Sequence, residues 1–316
     1  MSIKIVDGLG FKECREYNLG VWQCPSFLFI VMGAINIASI LTTYFIVQRY
    51  DSPELVIVSV SAISIFIFAL GTSIIQGIQQ MVTINSLRTE FVSIASHQLK
   101  APLSGMRWSC DILCSPKTGP LNDKQREYLC DVQDNVARML RLVNDLLDVT
   151  RIEAGKMAMD KQDVKLDKIA KDVINGLNSF AKANNTELFL DVQGEVRTVK
   201  TDSTRIKTVI ENFIDNAIKY IGNKRGTVRI LLEDKNGKIY CRVQDNGIGI
   251  PEADQKKIFD KFFRGKEIAR KQTIGTGLGL YIAKAAIENS GGEIGFNSEE
   301  GKGSEFWFSL PAAESL

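Results

Sequence analysis

The first quarter of the chain consists of two long apolar runs separated by one short polar break. No charged residue occurs at 27–47 or at 55–75, and the stretch 48–54 between them is polar. A transmembrane helix needs about 20 consecutive apolar residues, so each run is long enough to span a bilayer. The pattern therefore predicts a two-helix transmembrane hairpin over 27–78, with a buried hairpin of a soluble protein as the alternative.

Basic residues predict the orientation of this hairpin. Lys4, Lys12 and Arg15 precede the first run, whereas the connecting loop offers only Arg49. The positive-inside rule then puts both ends of the hairpin in the cytoplasm, with 1–26 as a short cytoplasmic segment. We expect a multi-pass protein of the inner or plasma membrane with its remaining domains in the cytoplasm. The loop is too short for a ligand-binding domain, so a stimulus would reach the spans, a membrane partner protein or the cytoplasmic part.

The apolar pattern then changes to that of a packed helix. Apolar residues alternate spacings of three and four at Ile84, Leu87, Phe91 and Ile94. This seam is out of step with the preceding one at Ile75, Ile78 and Val82. The shift is explained equally well by local unwinding of a coiled coil or by a plain connector with imperfect heptads.

A second amphipathic helix is predicted at 123–152, after a break at 115–122 that contains two prolines and a glycine. Its apolar stripe is narrow and consists of Leu129, Val132, Val136, Met139, Val143 and Leu146. One helical hairpin cannot bury two such stripes, but two copies can do so in a four-helix bundle. The region 79–158 is therefore predicted to be an all-α hairpin that forms a homodimer.

The region 159–312 has the pattern of a separate α/β sandwich, and 313–316 is the end of a tail, starting near Pro311, that we expect to be frayed. Helices are predicted at 166–184, 203–220 and 276–290. Strands are predicted at 187–192, 227–233, 238–245, 293–297 and 305–310. A turn at 235–237 joins two of the strands as a hairpin, which favours a mainly antiparallel sheet.

Charge and cysteine content exclude some classes of function. A net charge of +2 gives no electrostatic footprint for nucleic acid. The six cysteines are scattered, and no histidine is near enough in sequence to complete a zinc pattern. We expect them to be reduced thiols.

The one histidine of the chain, His97, lies on the first amphipathic helix. It stands one position short of the next seam site, so its ring should lie beside the core rather than in it. Pro102 removes a backbone donor five residues later and should kink the helix there. A lone histidine on such a helix is usually structural, and its neighbours decide between the two interpretations.

Five stretches of the C-terminal region together carry groups suited to a nucleotide. Asn212, Asn216, Lys219 and Tyr220 share one helix face. A carboxamide oxygen suits Mg²⁺ and an ammonium group suits phosphate.

Asp245 ends a strand and is followed by Gly247 and Gly249, which allow a flat ligand to approach the backbone. Its carboxylate can accept a hydrogen bond from an exocyclic amine such as that of adenine. The segment 252–274 mixes phenylalanines with basic residues, as expected of a lid over a triphosphate. The sequence GTGLGL at 275–280 leads into a helix whose amides can hold phosphate oxygens. A last glycine turn, GKGSEF, follows at 301–306.

The stretch SHQLKAPL at 96–103 resembles the phospho-acceptor box of sensor histidine kinases, usually written SHELRTPL. The later stretches resemble, in order, the N, G1, F, G2 and last glycine boxes of their ATP-binding domain. That domain has the Bergerat (GHKL) fold of gyrase, the Hsp90 chaperones and MutL. The resemblance covers about 80–312 and implies a membrane sensor histidine kinase of two-component systems, with HisKA and HATPase_c domains.

By this resemblance the substrates are ATP with Mg²⁺, and His97 accepts the γ-phosphoryl group and passes it to an aspartate of a response-regulator receiver domain. Asn216 would bind Mg²⁺, with Asn212 as a second candidate. Asp245 would recognise adenine, Tyr220 would pack near the base, and Lys219 and Arg264 would face the phosphates. The other implied nucleotide-binding residues are Gly247, Gly249, Phe259, Gly275, Thr276, Gly277, Leu278 and Gly279.

Two residues depart from the pattern of the histidine kinase family, and Asn212 helps to decide between a kinase and the alternative classes of protein. Gln98 stands where the family has an acid, and Ala101 stands where it has a threonine or asparagine that positions water. We therefore expect a slow but competent kinase with little phosphatase activity. The rivals are an ATPase or chaperone-like machine and a membrane scaffold with a degenerate kinase domain. Asn212, in place of the catalytic glutamate of the gyrase-like enzymes, disfavours the ATPase.

Overall fold

The computed structural model describes residues 24–48, 53–115, 118–222, 224–265 and 275–313. The chain divides into two units. One contains the residues up to His97 together with Glu153–Gly155, and the other contains Gln98–Ile152 and the residues from Lys156 onward.

Two long helices begin the described part of the chain. Helix α1 is Pro25–Val47 and helix α2 is Pro53–Leu113. Each contains a stretch long and apolar enough to cross a membrane, with mean hydropathies of 1.9 and 2.2, although length and composition are the only grounds for this. The two helices approach closely at Gly71, where an added Cβ would overlap the side chain of Met32. Most of the predicted N-terminal segment 1–26, namely 1–23, and residues 49–52 of the predicted loop lie outside the described residues.

Helix α2 continues without interruption through both predicted seams and through Pro102. The later seam is solvent-exposed in the single chain, with Phe91 at 72% and Ile94 at 55% exposure. Helix α3, Asp123–Glu153, agrees with the predicted second helix and packs on the end of α2. Its Val136 and Val143 form a small buried cluster with Leu103.

The C-terminal sheet has the order β2-β4-β5-β7-β6. Its strands are β2 Thr186–Gln193, β4 Gly226–Lys235, β5 Lys238–Asp245, β6 Glu293–Glu299 and β7 Gly303–Pro311. Only the β2–β4 pair is parallel, which confirms the prediction of a mainly antiparallel sheet. The β4–β5 hairpin turns at Asn236 and Gly237, whose φ angles of 53° and 76° suit a tight two-residue turn.

Three helices cover one face of this sheet and form a two-layer domain. They are α4 Leu166–Ala183, α5 Ser203–Lys219 and α7 Gly279–Asn289; the short helix α6 is Glu252–Gln255. In the core, the ring of Phe213 on α5 packs against the rings of Phe306 and Phe308 in the sheet, and Ile287 of α7 belongs to the same buried cluster. Alternating burial along β4 and β5 places one side of each strand against the helices. The α/β sandwich is therefore confirmed.

The structure corrects four details. A small antiparallel sheet of β1 Gln162–Val164 and β3 Val199–Thr201 was missed because both strands are very short. Helix α7 begins three residues later than predicted, because Gly277 has a left-handed φ of 70°.

The expectation of a frayed end from Pro311 is also wrong as far as the described residues extend. Ala312 bridges to Val199, and the Ala313 amide donates to the Thr198 carbonyl at 2.7 Å. Finally, Cys24 is disulfide-bonded, contrary to the expected thiol, whereas Cys110, Cys114, Cys130 and Cys241 are free.

Candidate functional site

Helix α5 presents a polar face away from the core. Asp202 caps its first turn by accepting hydrogen bonds from the amides of Thr204 and Arg205. The fully buried side chains of the helix turn towards the sheet, so Asn216 and Lys219 remain half-exposed on the other side. Lys219 forms an ion pair with Asp215 one turn earlier. The Asn216 side chain has no hydrogen-bond partner among the described residues.

Asn212 joins α5 to the start of α7. Its Nδ2 donates to the Gly279 carbonyl at 3.4 Å. A Cβ added at Gly279 would lie 3.2 Å from the Asn212 carboxamide oxygen, so a side chain at this position would require the carboxamide to shift. The structure therefore brings two stretches together that are 67 residues apart in sequence.

Asp245 is buried at the end of β5, with 8% of its surface exposed. Its Oδ1 accepts hydrogen bonds from the amides of Gly247 at 2.7 Å and Ser304 at 3.2 Å. Its Oδ2 accepts none from the described part of the chain. Burial raises the pKa of Asp245, while these two bonds and the charge of Lys224 lower it. The side chain is thus held in place by one oxygen, and the second oxygen can accept a ligand donor.

The glycine turn after Asp245 is held on both sides by backbone contacts. The Ile248 amide donates to the Tyr220 carbonyl at 2.9 Å, and the Ile248 carbonyl accepts from the Gly301 amide at 2.7 Å. Gly249 has a φ of 68°, and a Cβ there would overlap the Glu299 carbonyl. Three of the predicted stretches, the helix that ends at Tyr220 and the glycine-rich stretches at Gly249 and Gly301, therefore meet at one place.

The lid segment is anchored at its described beginning. The Phe262 amide donates to the Gly277 carbonyl at 3.0 Å, and a Cβ at Gly277 would lie 2.8 Å from the Phe263 carbonyl oxygen. The ring of Phe259 packs edge-on against Phe296, at 6.1 Å between centroids, on the margin of the core. These contacts give Phe259 an anchoring role, and its contact with nucleotide stays a prediction. Residues 266–274 of the lid lie outside the described residues.

Tyr220 ends helix α5 and is half-buried. Burial raises the pKa of its hydroxyl, and the nearby charge of Arg264 lowers it. The structure therefore places Arg264 within electrostatic reach of Tyr220, as expected for two residues of one site.

Helix α3 contacts the loop before α7, which the sequence analysis did not predict. The Thr276 hydroxyl donates to Asp145 Oδ2 at 3.2 Å, and Arg205 Nη1 donates to Asp148 Oδ2 at 2.6 Å. Leu278 and Ile282 form a buried cluster with Val149 of α3. The two acids of the sequence NDLLD were visible, but no local pattern indicates their partners, which are 131 and 57 residues away.

His97, Gln98 and Ala101 lie on helix α2, and all three are exposed. The preceding Ser96 is buried at 1% exposure. His97 is therefore exposed to solvent in the single chain, next to a buried position of its helix, and its place beside the seam stays a prediction. The chemical roles of these three residues stay predictions.

The arrangement in the C-terminal domain fits a nucleotide with a magnesium ion. Asp245 Oδ2 is available to a base, and the tight glycine turns allow close approach of a flat ring. No cluster of three acidic, histidine or cysteine side chains that could hold a metal occurs in the described ranges. Mg²⁺ is usually bound by one or two protein carboxylates together with substrate phosphates and water, and a role for the Asn216 carboxamide as its ligand stays a prediction.

Comparison with known families decides the classification. The family described as "Histidine kinase-, DNA gyrase B-, and HSP90-like ATPase" matches residues 201–314, and "His Kinase A (phospho-acceptor) domain" matches residues 87–155. The chain belongs to the ATP-dependent histidine kinases of two-component systems.

Curated relatives share the kinase region. The chain is 34% identical over 229 residues to the circadian input-output histidine kinase CikA of Synechococcus elongatus, covering 72% of this chain and 30% of CikA. It is 32% identical over 230 residues to the signal transduction histidine-protein kinase BarA of Escherichia coli, covering 71% of this chain and 24% of BarA. The alignment with the sensory/regulatory protein RpfC of Xanthomonas campestris has 28% identity and covers 97% of this chain and 42% of RpfC. This kinase therefore spans less than half the length of these relatives.

A solved structure has the same kind of fold. Full-length ShkA in complex with AMPPNP aligns with a TM-score of 0.59 and 27% identity, covering 72% of this kinase and 46% of ShkA.

Proposed function

We propose that the chain transfers the γ-phosphoryl group of ATP to His97 and then to an aspartate of a response-regulator receiver domain. The observation that carries the ATP half of this proposal is Asp245, which is fixed through one oxygen and leaves the other open beside a tight glycine turn. The transfer half rests on the membership of 87–155 in the phospho-acceptor family and on His97 as the one histidine.

The first step is an in-line attack on phosphorus. A neutral imidazole nitrogen of His97 forms a bond to the γ-phosphorus, and the bond to the bridging oxygen of ADP breaks with its electron pair leaving on ADP. Asp245 holds the adenine amine, and Lys219 and Arg264 stabilise phosphate charge. Asn216 would hold Mg²⁺, which would neutralise part of the charge of the triphosphate. Because the chemistry needs little covalent help from the protein, positioning and charge stabilisation supply the rate.

Gln98 and Ala101 determine the balance between the autokinase activity and the phosphatase activity of this kinase. The Gln98 carboxamide can accept a hydrogen bond from the imidazole N–H, but it is neutral and a poor base. Loss of general-base help costs roughly 10²–10⁴-fold, and retention of the hydrogen bond puts the expected loss at the low end. Ala101 lies one helical turn after His97, and its methyl group cannot orient a water molecule. We therefore propose a slow autokinase with little phosphatase activity towards its regulator.

The exposed seam on α2 supports a homodimer. Ile84, Leu87 and Phe91 are 65%, 58% and 72% exposed in the single chain. On α3, Val132 and Met139 of the predicted stripe are exposed at 45% and 53% while Val136 is buried. A second copy that covers these side chains in a four-helix bundle would remove them from water.

The apolar stretches of α1 and α2 support attachment to a membrane with the catalytic domains in the cytoplasm. Their side chains are largely exposed, including Ile37 at 61% and Phe66 at 67%, as expected for surfaces in contact with lipid. Input would pass from this hairpin, or from a membrane partner protein, along the continuous helix α2. Exchange of residues 1–78 for an unrelated dimerising coil should leave catalysis intact and remove regulation. A retained stimulus response would place the sensor in the cytoplasmic part.

Labelling of the full chain in lipid nanodiscs with γ-³²P ATP tests the transfer step. We expect label that is stable in alkali and lost in acid, as a phosphohistidine requires, and we expect none in His97→Ala. The matched control is Gln133→Ala, a polar substitution elsewhere in the helical hairpin. Stable label in His97→Ala would refute the proposal.

The same experiment separates the rival functions. Steady phosphate release without protein label would indicate an ATPase of the gyrase and Hsp90 type. ATP binding without label or hydrolysis would indicate a scaffold.

A further inference from the structure

The loop predicted to bind phosphate is attached to helix α3 by a short chain of hydrogen bonds. Asp145 Oδ2 accepts from the Thr276 hydroxyl at 3.2 Å, and the same hydroxyl oxygen accepts from the Leu278 amide at 3.0 Å. Because the hydroxyl proton of Thr276 points to Asp145, the lone pairs of the hydroxyl oxygen face the loop. The carboxylate thus determines which way Thr276 is turned.

This chain of bonds occupies groups that a nucleotide would use. Leu278 is the N-cap residue of α7, so its amide is among those that can hold phosphate oxygens. In the docked arrangement, Thr276 already satisfies this amide. Asp145 in addition brings a carboxylate next to the loop, and a carboxylate repels a triphosphate.

Independent contacts keep α3 in this position. Arg205 and Asp148 form an ion pair at 2.6 Å with side chains that are only 21% and 18% exposed. Val149, Leu278 and Ile282 are buried together at 4%, 2% and 4% exposure. The docking surface therefore includes an apolar patch and two polar contacts on successive turns of α3.

We propose that Asp145 is a positioning residue that, through Thr276, holds the phosphate loop in a conformation opposed to nucleotide binding. Docking of α3 and binding of ATP then weaken each other, because a coupling between two sites acts equally in both directions. ATP binding would release the ATP-binding domain from α3. This inference rests on the proposed function, since it assigns a regulator to the same nucleotide site.

Affinity for AMPPNP, measured on the full chain in nanodiscs, tests the inference without any phosphoryl transfer. Asp145→Asn keeps an acceptor for Thr276 but removes the charge, and Asp145→Ala removes both. We expect both variants to bind at least about 5-fold more tightly, which is the lower end of typical coupling between sites. Asp134→Asn is the matched control, because it makes the same change at an exposed position of α3 and should not alter the affinity.

The ion pair provides a second test that a simple loss of structure would not reproduce. Arg205→Asp should also tighten AMPPNP binding, because it breaks the docking contact on the N-terminal part of α5. The double variant Arg205→Asp with Asp148→Arg should return the affinity to that of the unmodified chain.

The outcomes distinguish this inference from the proposed function. If the unmodified chain does not bind AMPPNP, the proposed function fails. If it binds and the Asp145 variants bind with unchanged or lower affinity, the coupling is refuted. Failure of the charge exchange to restore the affinity of the Arg205→Asp variant would also refute it.

Discussion

Asp245→Asn separates recognition of adenine from support of the fold. The asparagine keeps an oxygen that can accept from the amides of Gly247 and Ser304, which lie 2.7 and 3.2 Å from Oδ1 in the native protein. Its Nδ2 replaces Oδ2, so a donor then faces the donor of the adenine amine. A hydrogen bond to a charged group contributes about 1.5–3 kcal/mol, and each 1.4 kcal/mol is tenfold in affinity. ATP should therefore bind roughly 10- to 150-fold more weakly.

The raised pKa of Asp245 gives the sign of the effect on stability. Burial is the largest cause of this shift, so the folded protein binds the proton more tightly than the unfolded chain. Ionisation of Asp245 therefore reduces the free energy of unfolding as the pH rises through the raised pKa. The asparagine variant has no such cost, and its melting temperature at neutral pH should be equal or higher.

Isothermal titration with AMPPNP and a thermal melt of the same sample measure both quantities. Asp191→Asn is the matched control, since it makes the same change at an exposed position of β2. As the pH is lowered, the affinity of the unmodified chain for AMPPNP should begin to fall at a higher pH than protonation of an ordinary carboxyl group would cause, because the pKa of Asp245 is raised. A folded Asp245→Asn protein with unchanged affinity would show that the base lies elsewhere.

Three further predictions concern the acceptor helix and one glycine turn. Gln98→Glu should raise the initial labelling rate of His97 severalfold, because a carboxylate supports the charge that develops on the imidazole; an unchanged rate would contradict this role. Ala101→Thr should let the kinase remove phosphate from its phosphorylated regulator, measured as loss of label from the regulator; efficient removal by the unmodified chain would show that Ala101 does not limit it. Gly249→Ala should lower the melting temperature and AMPPNP affinity, because an added Cβ would overlap the Glu299 carbonyl. Gly194→Ala has the same left-handed strain, with φ of 74°, but open space around it, and so should cost less; an equal loss in both would assign the effect to strain alone.

Local patterns in the sequence predicted much of the secondary structure of this kinase. Helix α3 and the strands β4 and β5 appear close to where periodicity placed them, because burial of one face is encoded in the spacing of apolar residues. The Asn236–Gly237 turn was indicated by turn chemistry alone. The start of α7 was misplaced because apolar spacing does not register the left-handed backbone of Gly277.

The residues around His97 and the order of the glycine-rich stretches were sufficient to indicate the family. Within each stretch, the residues that carry the chemistry are only a few positions apart in sequence. The distances between those stretches were not predictable. Tertiary structure alone brings Ser304 to Asp245, because β7 pairs with β5 after a crossover of about 60 residues. It alone places Asn212 against Gly279 and Thr276 against Asp145. Such contacts depend on how whole helices and strands pack, and no repeat or spacing within either partner encodes that packing.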